Sequence, residues 1–70
     1  MAVPIAAIQY KLRVMYPSYK FEIKNDVKAN VFIVTIFHKG ENLGSKSFIP
    51  ETPMTDFWIE MREWMRTIAR

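Results

Sequence analysis

Few side chains in this chain could do covalent or acid–base chemistry. The single histidine, His38, follows the most apolar run, Val31 to Phe37, and the chain has no cysteine. One imidazole with no second nitrogen, thiolate or paired carboxylates nearby completes neither a usual zinc site nor a nucleophilic triad. His38 is therefore expected to be a partly exposed, structural or incidental histidine next to a turn. Asp56 and Glu60 stand four residues apart, the spacing of an acid–base pair on one helix face, but the same positions suit capping and solvent at a helix start. Gly40 and Gly44 lack the Lys-Ser/Thr that follows the glycines of a phosphate loop, and read as turn and strand glycines. No metal or cofactor is implied, and the expectation is a protein that is not an enzyme.

Binding chemistry is better represented. Trp58, Arg62, Arg66 and Arg70 recur at four-residue steps and would form a ridge on which Trp58 and Arg62 stack, offering an aromatic ring and cations to an acidic partner. The alternative is a tryptophan at the core edge with solvated arginines. Met54, Met61 and Met65 could add an adaptable groove, although a core role accounts for Met61.

These side chains must be positioned by a small scaffold. The chain has 70 residues, of which 50% are hydrophobic and 14% aromatic, with 10 Lys and Arg against 7 Asp and Glu for a net charge of +3. That describes one compact domain spanning residues 1–70, neither disordered nor collagen-like. Without cysteine there is no disulfide staple, so stability must come from packing, in a fold whose stability is roughly 4 to 10 kcal/mol. The apolar run from Val31 to Phe37 is about a third of the ~20 residues a membrane span needs, and the N-terminus lacks a basic region ahead of an apolar one. The expectation is a complete, cytoplasmic protein.

Periodicity predicts the elements. Ile5, Ile8, Leu12 and Met15 recur at helical spacing between Pro4 and Tyr16, and Pro17 ends the helix. Tyr19, Phe21 and Ile23 alternate with Lys20, Glu22 and Lys24, as in a half-buried strand. Val31 to Phe37 is β-branched and aromatic on both faces, which makes it the central strand. Leu43 to Ile49 follows the turn signal Lys39-Gly40-Glu41-Asn42 as a weaker strand. A turn on Gly40-Glu41 would set Phe37 against Gly44, Thr35 against Lys46 and Ile33 against Phe48. After Pro50 and Pro53 a last helix is expected, capped by Thr52 or Thr55, with Phe57, Met61, Trp64 and Ile68 inward and Trp58 and Met65 flanking. The fold class is α+β: helix, three-stranded antiparallel meander, helix, with both helices on one face of the sheet.

That order resembles the double-stranded-RNA-binding domain along the whole chain. Tyr16-Pro17-Ser18-Tyr19-Lys20-Phe21-Glu22 is similar to the family's entry to its first strand, and Lys39-Gly40-Glu41-Asn42-Leu43-Gly44 to its second hairpin. Gln9, on the polar face of the first helix, resembles one of the family's contact regions. The family's Gly-Pro-x-His loop is replaced by Asn25-Asp26-Val27-Lys28-Ala29-Asn30, and its lysine cluster by Glu51, Thr52, Pro53, Met54, Thr55 and Asp56. The resemblance therefore implies the fold, while acids stand where a phosphate would lie.

Charge follows the same division. Five lysines outnumber Glu22, Asp26 and Glu41 between residues 17 and 50, whereas three arginines meet four acids from residue 51 onward. Neither excess is a strong nucleic-acid footprint. Two helices cover one face of a sheet. If Tyr19, Phe21, Ile23, Phe32, Val34, Ile36, Leu43 and Ile49 face the helices, then Val31, Ile33, Thr35, Phe37 and Phe48 face away, rimmed by Lys20, Glu22, Lys24 and Lys46. An apolar centre in a charged rim is the anatomy of a protein interface.

The expected function is thus a small non-catalytic interaction protein, an inhibitor or adaptor, similar in style to many small phage or mobile-element proteins. It would bind a protein partner or itself through the open sheet face. The alternative is a divergent nucleic-acid-binding domain using Lys20, Lys24, Lys28 and Lys46 with the helical arginines.

Overall fold

The computed structural model describes residues Pro4 to Ile68. The chain forms helix α1 (Ile5–Met15), strands β1 (Lys20–Asp26), β2 (Val31–His38) and β3 (Glu41–Phe48), and helix α2 (Met54–Ile68). The strands make one antiparallel sheet in the order β1-β2-β3, so the fold is α+β with an open three-stranded sheet.

On β2 the even-numbered Phe32, Val34 and Ile36 are buried while Val31, Ile33, Thr35 and Phe37 are half-buried. The buried set joins Ile8 and Leu12 of α1, Phe21 of β1, Phe48 of β3, and Phe57, Met61 and Met65 of α2 in one core. Residues of both helices thus meet the same face of the sheet. No polar or charged side chain is buried among the described residues, so the fold rests on apolar packing.

The second hairpin corrects the expected register. His38 pairs with Glu41, leaving Lys39 and Gly40 as a two-residue turn, both with positive φ (53° and 82°) as a type I′ turn requires. The expected Gly40-Glu41 turn lies one residue further along. Leu43 is then the extra residue of a β-bulge, beyond which Ile36 pairs with Gly44, Val34 with Lys46 and Phe32 with Phe48. The Gly44 N–H donates to Asn42 Oδ1 (2.9 Å) across the bulge. Because side chains alternate, this register turns Phe48 and Lys46 toward the helices. Phe48 stacks on Phe32 (5.5 Å between ring centroids) and meets Phe57 (4.7 Å), and Ile49, expected to face the helices, is 56% exposed.

The helices depart from expectation at their edges. On α2 the buried row is Phe57, Met61 and Met65, with Trp64 and Ile68 only partly buried against it. Phe48 packs on Phe32 and Phe57 in the core, and Trp64 instead lies over β3, where a Cβ at Gly44 would stand 3.8 Å from its Cζ2. Met15, expected on the inner stripe of α1, is exposed. Thr52 does not cap α2: its hydroxyl and its N–H both donate to the Ile49 carbonyl (2.7 and 3.0 Å), closing a turn before the helix.

Gly44 has φ +141°, a conformation that L side chains rarely adopt, while the contact to Trp64 is ordinary van der Waals distance. Gly44→Ala is expected to destabilise the fold by about 1–2 kcal/mol through backbone strain rather than collision. Gly40→Asn, in an open turn position and with a residue that tolerates positive φ, should be close to neutral. Urea unfolding of the two variants checks the contrast.

Candidate functional site

The face of the sheet away from the helices is organised in three rows. The middle row is Val31, Ile33, Thr35 and Phe37, all half-buried. On the β1 side Asp26 pairs with Val31, Lys24 with Ile33, Glu22 with Thr35 and Lys20 with Phe37, so the flank alternates in charge. On the β3 side Ser47 pairs with Ile33, Ser45 with Thr35 and Asn42 with Phe37. The Thr35 and Ser45 hydroxyls hydrogen-bond across the strands (2.9 Å). The apolar centre is one strand wide, narrower than an interface that also contained Phe48.

Of the residues expected on this surface, Val31, Ile33, Phe37, Lys20 and Lys24 are there, while Phe48 and Lys46 are not, because of the shifted register. Lys46 lies on the helix side, with Nζ 4.0 Å from Glu60 Oε1 and 5.9 Å from the centroid of the Phe48 ring. Both members of that ion pair are solvent-accessible, so it contributes at most ~1 kcal/mol. The rim expected from alternation includes Glu22 but not Asp26, Ser45 and Ser47, which the pairing adds. The strict alternation of β1 was signal enough to find Asp26; the two serines required the bulge. At the hairpin end of the face, Ser18, Lys20, Glu22, Phe37, Lys39 and Gly40 line a shallow hollow of about 230 Å³.

The expected Trp58–arginine ridge is divided. Lys11 of α1, not Arg62, stands over the Trp58 ring, 4.5 Å from its centroid, and Trp58 meets Phe57 edge-on (5.0 Å). Trp58 therefore helps to join α1 to α2. Arg62 and Arg66 line a separate hollow of about 180 Å³ with Tyr16 and Met65, and Arg70 lies outside the described residues.

The lysines do not converge on one strip. Lys20 and Lys24 alternate with acids on β1, Lys28 is in the loop between β1 and β2, and Lys46 is on the opposite face. A third hollow, of about 260 Å³, brings Arg13 and Lys20 together beside Gln9, Pro17, Tyr19 and Phe21. Gln9 Nε2 there donates to the Phe21 carbonyl (3.2 Å), tying α1 to the free edge of the sheet. Tyr10 and Val14, one turn apart on α1, are exposed apolar residues that periodicity did not single out.

His38 is half-buried and packs on Tyr19, with ring centroids 4.9 Å apart. Asp56 and Glu60 are exposed on α2. Among the described residues no three His, Cys, Asp or Glu side chains are grouped to hold a metal ion, and no helix is long and apolar enough to cross a membrane. Comparison with family models, curated proteins and solved structures finds no match to this chain.

Proposed function

We propose that the protein is a small non-catalytic interaction module, an inhibitor or adaptor, that docks a protein partner on the open face of its sheet. The observation behind this reading is the row Val31, Ile33 and Phe37, which neither helix covers and which has charges on one flank and hydroxyls on the other. The partner it fits presents a narrow apolar ridge, whose burial supplies affinity while the Lys20, Glu22, Lys24 and Asp26 row sets orientation. The lack of cysteine suits a reducing compartment, and the reading places the protein in the cytoplasm.

A second reading rests on the hollow between α1 and β1, where Arg13 and Lys20 stand beside Gln9. It is a divergent nucleic-acid-binding domain with the helix and strand order of the double-stranded-RNA-binding family. Phosphate binding releases counterions, so affinity for duplex RNA or DNA would fall steeply with salt.

Affinity capture from the native host followed by amide-resonance mapping separates the two. Shifts centred on Ile33, Thr35 and Phe37 on adding the captured partner are expected. A salt-sensitive nucleic-acid complex with shifts at Gln9, Arg13 and Lys20 would replace the first reading by the second. Shifts confined to α2 would move the site to Trp58, Arg62 and Arg66.

A further inference from the structure

The free edge of β1 has a charge order that complements itself. Along the open face β1 reads Lys20, Glu22, Lys24, Asp26, a row with no net charge. Run antiparallel to a second copy about a two-fold axis at Ile23, Lys20 meets the second copy's Asp26 and Glu22 meets its Lys24, each twice. A register centred on Glu22 sets Glu22 against itself and Lys20 against Lys24. One centred on Lys24 sets Lys24 against itself and Glu22 against Asp26. Opposite charges across a strand pair are favourable and like charges are not, so among these only the Ile23-centred register is matched throughout.

The backbone also excludes the even centres and admits the odd ones, of which Ile23 alone lies at the middle of β1. In an antiparallel ladder, residues alternate between sending their N–H and C=O to one neighbour and to the other. The two-residue turn makes His38 and Glu41 a hydrogen-bonded pair, which directs the even residues of β2 to β3 and the odd ones to β1. Those odd residues pair with Lys20, Glu22, Lys24 and Asp26, leaving the backbone groups of Phe21, Ile23 and Asn25 on the free edge. The bond from Gln9 to the Phe21 carbonyl reaches that edge, as this parity requires. Two Ile23 residues facing each other would then exchange both hydrogen bonds, and Phe21 would do the same with Asn25, its carbonyl having a second lone pair free of Gln9.

We propose that two copies of this chain join through β1, antiparallel and centred on Ile23, into one six-stranded sheet. None of the four charged residues has an ion-pair partner among the described residues of its own chain, so the pairing breaks no salt bridge. Edge lysines commonly keep sheets apart, but a row that alternates in sign repels the registers centred on Glu22 and Lys24, while those centred on Phe21 and Asn25 pair only part of β1 and the Ile23 register pairs all of it. β3, the other edge, is bulged at Leu43 and has no matching row. The joined sheet places two open faces side by side, and the β1 pairing forms whatever binds them.

Light scattering and sedimentation of the purified chain at high micromolar concentration test it. The wild type should be a dimer that weakens as salt rises. Glu22→Lys or Lys24→Glu alone should raise the dissociation constant by roughly tenfold or more, since each turns two opposite pairs into like ones. An equimolar mixture of the two variants should form a one-to-one dimer, and the Glu22→Lys/Lys24→Glu double variant should regain the homodimer. In the wild type, exchange of the Ile23 amide should slow as concentration rises, a readout that needs no variant. The Ile33→Lys/Phe37→Lys variant, which alters the open face, should keep the dimer. A wild type that stays monomeric, single variants that dimerise as well as wild type, a mixture that does not pair, or a dimer lost with Ile33 and Phe37 would each overturn the proposal.

Discussion

Phe57→Ala is expected to remove about 3–5 kcal/mol of stability, most of what a 70-residue domain possesses. Phe57 is fully buried, and its ring lies 4.7 Å from Phe48, 5.8 Å from Phe32 and 5.0 Å from Trp58, centroid to centroid. It is where α2 meets the sheet, so its loss opens a cavity shared by β2, β3 and α2. Aromatic pairs of this geometry add ~0.5–1.5 kcal/mol beyond area burial, and truncation forfeits three of them. Urea unfolding should show the variant largely unfolded or with its midpoint near zero denaturant. A midpoint close to wild type would mean that the core closes around the gap.

Trp64→Ala provides the contrast. Helical spacing set Trp64 on the inner stripe, where its loss would cost as much as that of Phe57. In the fold its indole is half-buried against Gly44 at the edge of β3, so truncation should cost roughly 1–2 kcal/mol, with solvent filling the space. The same denaturation series measures both.

Most of the architecture was legible because each element carries its own period. The alternation in β1, the β-branched run of β2 and the helical steps of Ile8 with Leu12 and Phe57 with Met61 each select one structure. The second hairpin was not legible in the same way. Lys-Gly is a weaker type I′ signal than Asn-Gly, and Lys39-Gly40-Glu41-Asn42 admits two turn positions one residue apart. Moving the turn by one residue slides the pairing by two and keeps the same half of β3 toward the core; the extra residue at Leu43 is what exchanges the two halves of the strand. Its polar pattern, Glu41-Asn42-Leu43-Gly44-Ser45-Lys46-Ser47, does little to resist a slip, leaving Phe48 as the one strong apolar vote. The bulge at Leu43 then sets a register that no periodicity encodes. The bulge moves Lys46 and Phe48 off the proposed surface and leaves Val31, Ile33, Phe37, Lys20 and Lys24 on it, since those belong to β1 and β2, whose alternation an extra residue in β3 does not touch.

The Ile33→Lys/Phe37→Lys double variant should abolish capture of the protein partner while keeping the fold. Ile33 lies between Lys24 and Ser47, and Phe37 between Lys20 and Asn42, so both substitutions fall on the open face and neither touches the core. Lysine stems can lie along the strand with the ammonium in water, which limits the cost of lost packing. The new charges stand beside Lys24 and Lys20, and cross-strand like pairs cost ~0.2–1 kcal/mol each. A melting temperature several degrees lower, with circular dichroism unchanged, is therefore expected. Binding should suffer far more. Removing two central apolar contacts and burying two ammonium groups against an apolar ridge should cost ~4 kcal/mol or more, about a thousandfold in affinity. Ile33→Val and Phe37→Leu, which keep the surface apolar, should bind within a few-fold of wild type. If the lysine variant captures the same partner unchanged, the open face is not the site, and the half-buried Trp58 with the Arg62 and Arg66 hollow becomes the surface to alter next.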